Sequence, residues 1–325
     1  MELLHAFERN AVEGILSDPD RVIETVLSKL FVHGDRVHKV YKRRTADFAD
    51  LADHAVRRAY ISEDFLWNHT MAPDVYLELR EVRRDGDQYR HVDDGEGEDL
   101  YLVMRRIDTS RDLITRLRAR TTTPEELRAY VHTLNDRLDM LTELRAHMLR
   151  EFFDRRMDHV RDEILGTCEW AYTAEPTLSR ADVDRARALL EAALDRDPYF
   201  RDLDRSLSVV TDVNGENILF SEDGVSFIDV MPPKDAWRVH DRYFLVCRTS
   251  ADVAALTDRD LAEHLHAAYA ERTARPSRTV RLAYELAGSL IQVPYRKMLA
   301  QEDLAERYAA FVRRCMQELE EEQGQ

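Results

Sequence analysis

Asp212, Asn217 and Asp229 are polar residues whose types and spacing could support a chemical reaction. Asp212 and Asn217 stand in the order D-x-x-x-x-N, and Asp229 follows at the end of an apolar segment. Phosphoryl transfer needs a carboxylate that accepts the proton of the attacking hydroxyl, and oxygen ligands that hold Mg²⁺ against nucleotide phosphates. We therefore predict that Asp212 is a catalytic base. Asn217 and Asp229 would bind Mg²⁺, a cation that prefers oxygen ligands.

The same residues are also compatible with an ordinary β-hairpin between polar turns, because D-x-x-x-x-N alone occurs often by chance. The residues around them favour the chemical interpretation. The apolar segments NILF and VSFIDV predict the two strands of a hairpin, and Asp229 stands at the end of the second strand. This placement, in addition to the spacing, supports a reactive site.

A β-rich region precedes these residues. Residues 1–17 have a helical apolar period, and two strand-like segments follow on either side of a turn at 33–36, with Lys39 on the second. Residues 45–71 predict a helix. The segments VYLELREVRR and DLYLVMRRI predict two more strands. The predicted order is therefore strand, strand, helix, strand, strand.

The chain beyond Asp108 has mainly helical patterns. The β-rich exception is LSVVTDVNGENILFSEDGVSFIDV, which contains the D-x-x-x-x-N spacing. The sequence therefore predicts an α+β protein with a small β-rich lobe to about Ile107 and a larger, mostly helical lobe after it.

The stretch VVTDVNGENILF...SFIDV resembles the HGDLHxGNIL...FDxxE signature of the aminoglycoside-phosphotransferase-like kinases. FVHGDRVHKVYKRR and EDFLWNHTMAPDVYL are similar to two earlier segments of that family, and the order agrees over about residues 24–249. The resemblance implies a two-lobed protein-kinase-like fold, with a nucleotide-binding lobe at 1–107 and a catalytic and substrate-binding lobe at 108–325. It also implies ATP or GTP as the phosphoryl donor, Mg²⁺, and a hydroxylated small molecule as the acceptor.

The resemblance assigns roles to residues outside the D-x-x-x-x-N segment. Lys39 matches the lysine that binds the α- and β-phosphates, and Glu63 matches its ion-pair partner, although the adjacent Asp64 competes for that role. Asp241 resembles an aspartate that helps to hold the family fold. We expect a structural role for Asp241.

Three further residues are expected at the nucleotide. The segment at 24–29 would cover the phosphates, and Ser28 could donate a hydroxyl or backbone hydrogen bond there, although the segment contains no glycine. Val103 and Met104 are predicted to end the last strand of the first lobe and to form the hinge on the adenine side. No G-x-x-x-x-G-K-[ST] occurs, which excludes a P-loop kinase.

The signature is changed on both sides of the predicted base. Val210 and Thr211 replace its His-Gly, and Asn214 replaces its second His. The first His normally helps to brace the metal-binding loop, so its loss could loosen the geometry without removing a reacting group. A nucleotide-binding pseudokinase with a regulatory role is therefore the alternative. A protein kinase is disfavoured because no H-R-D, D-F-G or A-P-E series is present.

Composition restricts the class of partner. The 325 residues include 47 basic and 63 acidic side chains, and the net charge of −16 disfavours nucleic acid and anionic membranes. The chain begins without a basic and apolar leader, and we expect neither export nor membrane anchoring. Its cysteines, Cys168, Cys247 and Cys315, are odd in number and far apart, which favours a cytoplasmic protein without a disulfide framework.

Overall fold

A computed structural model describes residues 2–46, 49–93, 95–151, 156–201, 207–222, 224–232 and 234–324. The chain divides into two compact units. The first, called here the β unit, comprises Met1–Thr109 and Ser226–Pro233, and the second, called the helical unit, comprises Ser110–Val225 and Lys234–Gln325. The α+β class predicted from the sequence is confirmed.

The β unit contains a six-stranded antiparallel sheet in the order β1-β2-β3-β8-β6-β7. Its strands are β1 (Arg21–Glu24), β2 (Ser28–His33), β3 (Arg36–Tyr41), β6 (Tyr76–Asp85), β7 (Gln88–His91) and β8 (Asp99–Arg105). Two short strands, β4 (Thr45–Ala46) and β5 (Ala49–Asp50), form a separate pair, and the unit also includes α1 (Leu3–Glu8) and α2 (His54–Met71).

The sheet of the β unit is apolar on both faces. Because successive side chains of a strand point to opposite faces, Leu100 and Leu102 belong to the core that includes α2, whereas Tyr101 belongs to the core that includes α1. Helix α2 begins later than the sequence predicts. The Asp53 carboxylate accepts the N–H of Val56 and caps the helix at His54, so the residues before it form the short β4–β5 pair.

The helical unit is built from nine helices within the described residues. They are α3 (Leu113–Ala119), α4 (Pro124–Leu144), α5 (Ala146–Glu151), α6 (Arg156–Ala171), α7 (Arg180–Arg196), α8 (Arg242–Leu256), α9 (Arg259–Ala270), α10 (Arg278–Met298) and α11 (Glu302–Gln323). None of the helices in the described part of the chain is both long and apolar enough to cross a bilayer.

Short strands flank the signature segment. β9 (Leu207–Val209) pairs with β12 (Val239–Asp241), and β10 (Ile218–Ser221) pairs with β11 (Gly224–Phe227) as a hairpin. Asp241 ends β12 and its carboxylate accepts the N–H of Tyr243, which caps α8. The hydroxyls of Tyr199 and Tyr284 donate to the same carboxylate at 2.7 and 2.8 Å, so Asp241 joins three segments.

Candidate active site

Lys39 lies on β3 and contacts two carboxylates within the β unit. Its Nζ is 3.1 Å from Oδ2 of Asp64 on α2 and 3.1 Å from Oδ1 of Asp229, which follows β11. The Lys39 and Asp64 side chains are buried, whereas 69% of the Asp229 side chain is exposed. One ammonium group thus joins a buried carboxylate to an accessible one.

The phase of helix α2 decides which acidic residue reaches Lys39. Ile61, Asp64, Trp67 and Met71 are buried and recur at intervals of three or four residues, so they share the face that packs on the sheet. Glu63 precedes Asp64 by about 100° of helical rotation and is only partly buried. The predicted partner of Lys39 is therefore corrected from Glu63 to Asp64.

Neighbouring polar groups hold the Asp64 carboxylate and the backbone beside Asp229. The Asn68 amide donates to Oδ1 of Asp64 at 2.9 Å and accepts the N–H of Val230 at 3.0 Å. The hydroxyl of Tyr41 donates to Asp64. Asn68, one helical turn beyond Asp64, therefore fixes the aspartate and the backbone just after Asp229 at the same time.

The backbone of Asp229 has an uncommon conformation. Its φ is 51°, in the left-handed region that aspartate tolerates better than most non-glycine residues. Its N–H donates to the hydroxyl of Tyr76 at 2.9 Å. Strained residues of this kind persist when surrounding contacts hold them, and they cluster at functional sites.

Burial and mutual charge interactions shift the pKa values of Lys39, Asp64 and Asp229. Burial raises the pKa of the Asp64 carboxyl although Lys39 lies beside it. The Lys39 ammonium lowers the pKa of the Asp229 carboxyl. Burial opposes the charge on Lys39, but Asp229 and Asp64 outweigh it and raise the pKa of Lys39 above its usual value. Lys39 is therefore charged at neutral pH, as binding a phosphate requires.

Ser28 and the predicted hinge differ from expectation. Ser28 is 1% exposed, and its hydroxyl lies 2.9 Å from that of Thr25 within the β1–β2 turn. Val103 and Met104 lie inside β8, which continues to Arg105 and pairs with β3 on one side and β6 on the other. Their backbone groups face these neighbouring strands, so the hinge predicted at Val103 and Met104 lies within the paired part of the sheet.

Asp212 lies in the helical unit, three residues after β9. Its Oδ1 accepts a hydrogen bond from Nη1 of Arg248 on α8 at 3.1 Å, and 40% of its side chain is exposed. A 3₁₀ turn over Gly215–Asn217 follows, and Asn217 stands immediately before β10. The D-x-x-x-x-N spacing thus spans a short loop between two strands.

Three helices contact the residues of this loop that lie between Asp212 and Asn217. The Glu216 carboxylate is paired with the buried guanidinium of Arg296 on α10. Gly215 is closely surrounded, since a Cβ added there would lie 2.6 Å from Ile114 and 2.8 Å from Oδ2 of Asp252. The loop between the predicted base and the predicted metal ligand is therefore fixed by side chains from α3, α8 and α10.

Sequence patterns did not predict the contacts of Arg248, Arg296 and Asn68. The two arginines are 36 and 80 residues from their carboxylate partners, so no local pattern connects them. Glu216 did carry a signal, because it stands where the signature HGDLHxGNIL has glycine. An acidic residue in place of that glycine calls for a basic partner.

Of the altered signature residues, Val210 and Thr211 are buried and Asn214 is partly buried. Val210 is 2% exposed and its N–H donates to the carbonyl of Arg238 at 2.9 Å. Among the described residues, the Thr211 hydroxyl and the Asn214 side-chain oxygen have no hydrogen-bond partner. Val210 thus contributes an apolar side chain and a backbone pairing at the position where the signature has His.

The chemistry of the predicted metal ligands fits Mg²⁺. The Asp229 carboxylate in the β unit and the Asn217 amide in the helical unit both offer oxygen atoms. No cluster of three or more His, Cys, Asp or Glu that could hold a metal occurs in the described ranges. Mg²⁺ in nucleotide enzymes is usually held by one or two carboxylates together with phosphates, so it does not require such a cluster.

Comparison with solved structures identifies the fold. No protein-family model and no curated protein sequence matches the chain. Choline kinase from Cryptosporidium parvum Iowa II has a TM-score of 0.53 and 13% identity, over 97% of this chain and 95% of that one. A thermostable mutant of aminoglycoside phosphotransferase APH(4)-Ia, in a ternary complex with ADP and hygromycin B, has a TM-score of 0.52 and 14% identity, over 98% of both chains.

These similarities extend over nearly the whole chain, so they include both the β unit and the helical unit. Sequence identities of 13 and 14% show the architecture alone. The protein therefore has the protein-kinase-like fold of the aminoglycoside-phosphotransferase-like kinases.

Proposed function

We propose that the protein transfers the γ-phosphoryl group of ATP or GTP to a hydroxyl of a small molecule. The observation that carries this proposal is the contact of Lys39 with Asp64 and Asp229 at 3.1 Å each. Kinases of this architecture use such a strand lysine, fixed by a helix carboxylate, to bind nucleotide phosphates. The exposed carboxylate of Asp229 lies beside the lysine, where a phosphate-bound cation needs an oxygen ligand.

Each residue has a separate role in the proposed reaction. Lys39 binds the α- and β-phosphates, and Asp64 keeps its ammonium in place. Asn217 and Asp229 would hold Mg²⁺, which supplies positive charge against the phosphates. Arg248 engages Oδ1 of Asp212, so that Oδ2 can accept the proton of the attacking hydroxyl.

The adenine side is proposed to begin beyond the paired part of β8. The N–H groups of Arg105 and Arg106 donate to the carbonyls of Val75 and Asp35. Ile107 is therefore the first residue that we propose for a backbone hydrogen bond to the base. This replaces Val103 and Met104 in the proposed site.

The acceptor is proposed to be a hydroxylated small molecule. The two similar structures are described as a choline kinase and as an aminoglycoside phosphotransferase with hygromycin B. The net charge of −16 favours neutral or cationic acceptors over anionic polymers. The acceptor should therefore be sought in a chemically broad panel of hydroxylated small molecules.

The test is Mg²⁺-dependent consumption of ATP and GTP by the purified protein, with amino alcohols, sugars, nucleosides and aminoglycosides as acceptors. The Asp212→Asn variant is measured alongside and controls for contaminating enzymes. We expect acceptor-stimulated turnover that the variant loses by at least about 10³-fold, while it still binds the nucleotide.

Two results would contradict the proposal. Normal turnover by Asp212→Asn would exclude Asp212 as the base. Nucleotide binding without turnover across the panel would favour a regulatory pseudokinase. This is the second candidate because Val210 is buried and the Thr211 hydroxyl has no hydrogen-bond partner among the residues that the structure describes.

A further inference from the structure

We infer that Glu216 and Arg296 form a positioning pair that sets how tightly Asn217 binds Mg²⁺. The inference rests on the proposed function, because it assumes that Asn217 is a metal ligand. Neither residue reacts; both act through the conformation of the loop that carries Asn217.

Glu216 occupies the centre of the relevant loop. It lies within the 3₁₀ turn Gly215–Asn217 and is the residue directly before Asn217. Its carboxylate is paired with Nη1 of Arg296 and accepts the hydroxyl of Tyr295 at 3.4 Å. Both partners belong to the C-terminal part of α10, so one helix end holds the residue next to the predicted ligand.

Arg296 is fixed independently of Glu216. Its side chain is fully buried, Nε donates to Gln292 at 3.1 Å, and Nη1 donates to Gln301 at 2.9 Å. The guanidinium also lies 5.8 Å from the ring centre of Tyr308. A buried guanidinium with several partners loses little further freedom when it binds a carboxylate, so it serves as a rigid anchor.

The opposite side of the turn is also closed. A Cβ at Gly215 would approach Ile114 and Asp252 within 3 Å, and Oδ1 of Asp252 accepts the hydroxyl of Tyr308 at 2.7 Å. Tyr308 therefore contacts both the residue that faces Gly215 and the guanidinium that holds Glu216. The turn has little room to rotate while these contacts persist.

Metal affinity follows from this arrangement. A displacement of Asn217 by a fraction of an ångström changes the geometry that Mg²⁺ demands, because its coordination is nearly ideal octahedral at about 2.1 Å. Residues that hold a metal ligand in place typically contribute 10- to 100-fold to metal affinity. Glu216 stands where the signature has a glycine, which carries no side chain. Its carboxylate therefore gives this chain a residue that can hold the metal ligand Asn217 in place.

The experiment measures Mg²⁺ affinity through binding, without turnover. Fluorescent mant-ATP is titrated with Mg²⁺ in the presence of wild-type protein, Glu216→Gln and Glu216→Ala. The matched control is Glu263→Gln, which alters another acidic partner of arginines in the helical unit, Arg275 and Arg281. Thermal unfolding of every variant is recorded in the absence of nucleotide and metal.

We expect the Mg²⁺ concentration for half-maximal binding to rise about tenfold in Glu216→Ala and less in Glu216→Gln, which keeps a hydrogen-bond acceptor for Arg296. Metal-free binding of mant-ATP should not change, and Glu263→Gln should behave as wild type. A purely structural role would lower thermal stability in the same order but leave the Mg²⁺ midpoint in place.

The outcomes separate this inference from the proposed function. An unchanged Mg²⁺ midpoint in folded Glu216→Ala, with Mg²⁺-dependent binding in the wild type, overturns the inference alone. If the wild type binds nucleotide with Mg²⁺ but phosphorylates no acceptor, the proposed function fails while the midpoint shift still decides the inference. If the wild type shows no Mg²⁺-dependent binding, both are wrong.

Discussion

Oδ2 of Asp64 lies 3.1 Å from Nζ of Lys39, inside the β unit, where neither side chain is more than 10% exposed. A buried ion pair is costly to desolvate and is retained only when additional hydrogen bonds satisfy both partners. Here the Asp64 carboxylate accepts hydrogen bonds from Tyr41 and Asn68. The Lys39 ammonium donates to a second carboxylate, that of Asp229. This contact is therefore part of a connected network.

Adjacent residues on α2 provide a direct test of that network. We expect Asp64→Asn to lower turnover about 100-fold, because the loss of one carboxylate frees Lys39 to move by about an ångström from the phosphates. Glu63→Gln should stay within about threefold of wild type, as is usual for changes away from the reacting groups. Steady-state kinetics of both variants measure the two changes in turnover. The reverse order of effects would restore Glu63 as the partner of Lys39.

Removal of Lys39 should destabilise the protein in a pH-dependent way. In Lys39→Met the Asp64 carboxylate loses its cation in a buried site, which costs about 3–5 kcal/mol when the carboxylate is ionised. Burial already raises the pKa of Asp64, and loss of Lys39 raises it further. A raised folded-state pKa gives stability at low pH that is lost as pH increases through that pKa. The variant should therefore be closer to wild type at pH 5 than at pH 8.

Thermal unfolding at the two pH values measures this effect. Lys29→Met is the control, because Lys29 pairs with Glu8 near the surface at 2.7 Å and such a pair contributes at most about 1 kcal/mol. Equal losses for both lysine variants, or a larger loss for Lys39→Met at pH 5, would show that Asp64 does not carry the buried charge.

The sequence predicted the elements of the site better than its side-chain contacts. Lys39 lies on the expected strand, and Asp229 follows the expected hairpin, because turns and alternating apolar residues are local signals. The choice between Glu63 and Asp64 depended on the exact phase of α2, and a helix predicted from 45 to 71 did not define that phase. Arg248 required contacts between distant segments, which no local period encodes.

Arg248 is predicted to orient the base. Arg248→Gln should lower kcat about 10- to 100-fold and leave nucleotide affinity unchanged, because the ion pair at 3.1 Å fixes Asp212. The control is Arg242→Gln on the same helix, which pairs with the more exposed Asp139 at 2.8 Å. Equal kinetic effects of the two substitutions would indicate a general disturbance of α8 and would contradict the positioning of Asp212.

Packing between α8 and α10 provides a second test of whether Arg248 orients Asp212. A Cβ at Gly288 would lie 3.0 Å from Cγ and 3.2 Å from the backbone Cα of Arg248. We therefore expect Gly288→Ala to shift Arg248 and to reduce kcat in the same direction as Arg248→Gln, though by a smaller factor. The two substitutions combined should give less than the product of their separate effects, since both act through one contact. Multiplicative effects would show that they act independently.

Asp252 should make the stability of the helical unit depend on pH. Burial raises the pKa of its carboxyl from 3.8 to about 6, although the Tyr308 hydroxyl donates to it at 2.7 Å. The folded state thus binds a proton more tightly than the unfolded state. The resulting stability is complete below about pH 4 and is lost as the pH rises through 6, and the difference corresponds to about 3 kcal/mol. Asp252→Asn, which cannot ionise, should therefore gain stability relative to wild type by up to that amount between pH 4 and pH 7.

Urea unfolding at several pH values measures this difference in stability, with a substitution of the exposed Asp136, Asp136→Asn, as control. A constant difference between Asp252→Asn and wild type over this range would mean that Asp252 is ionised throughout in the folded protein, held so by Arg296 and Arg248.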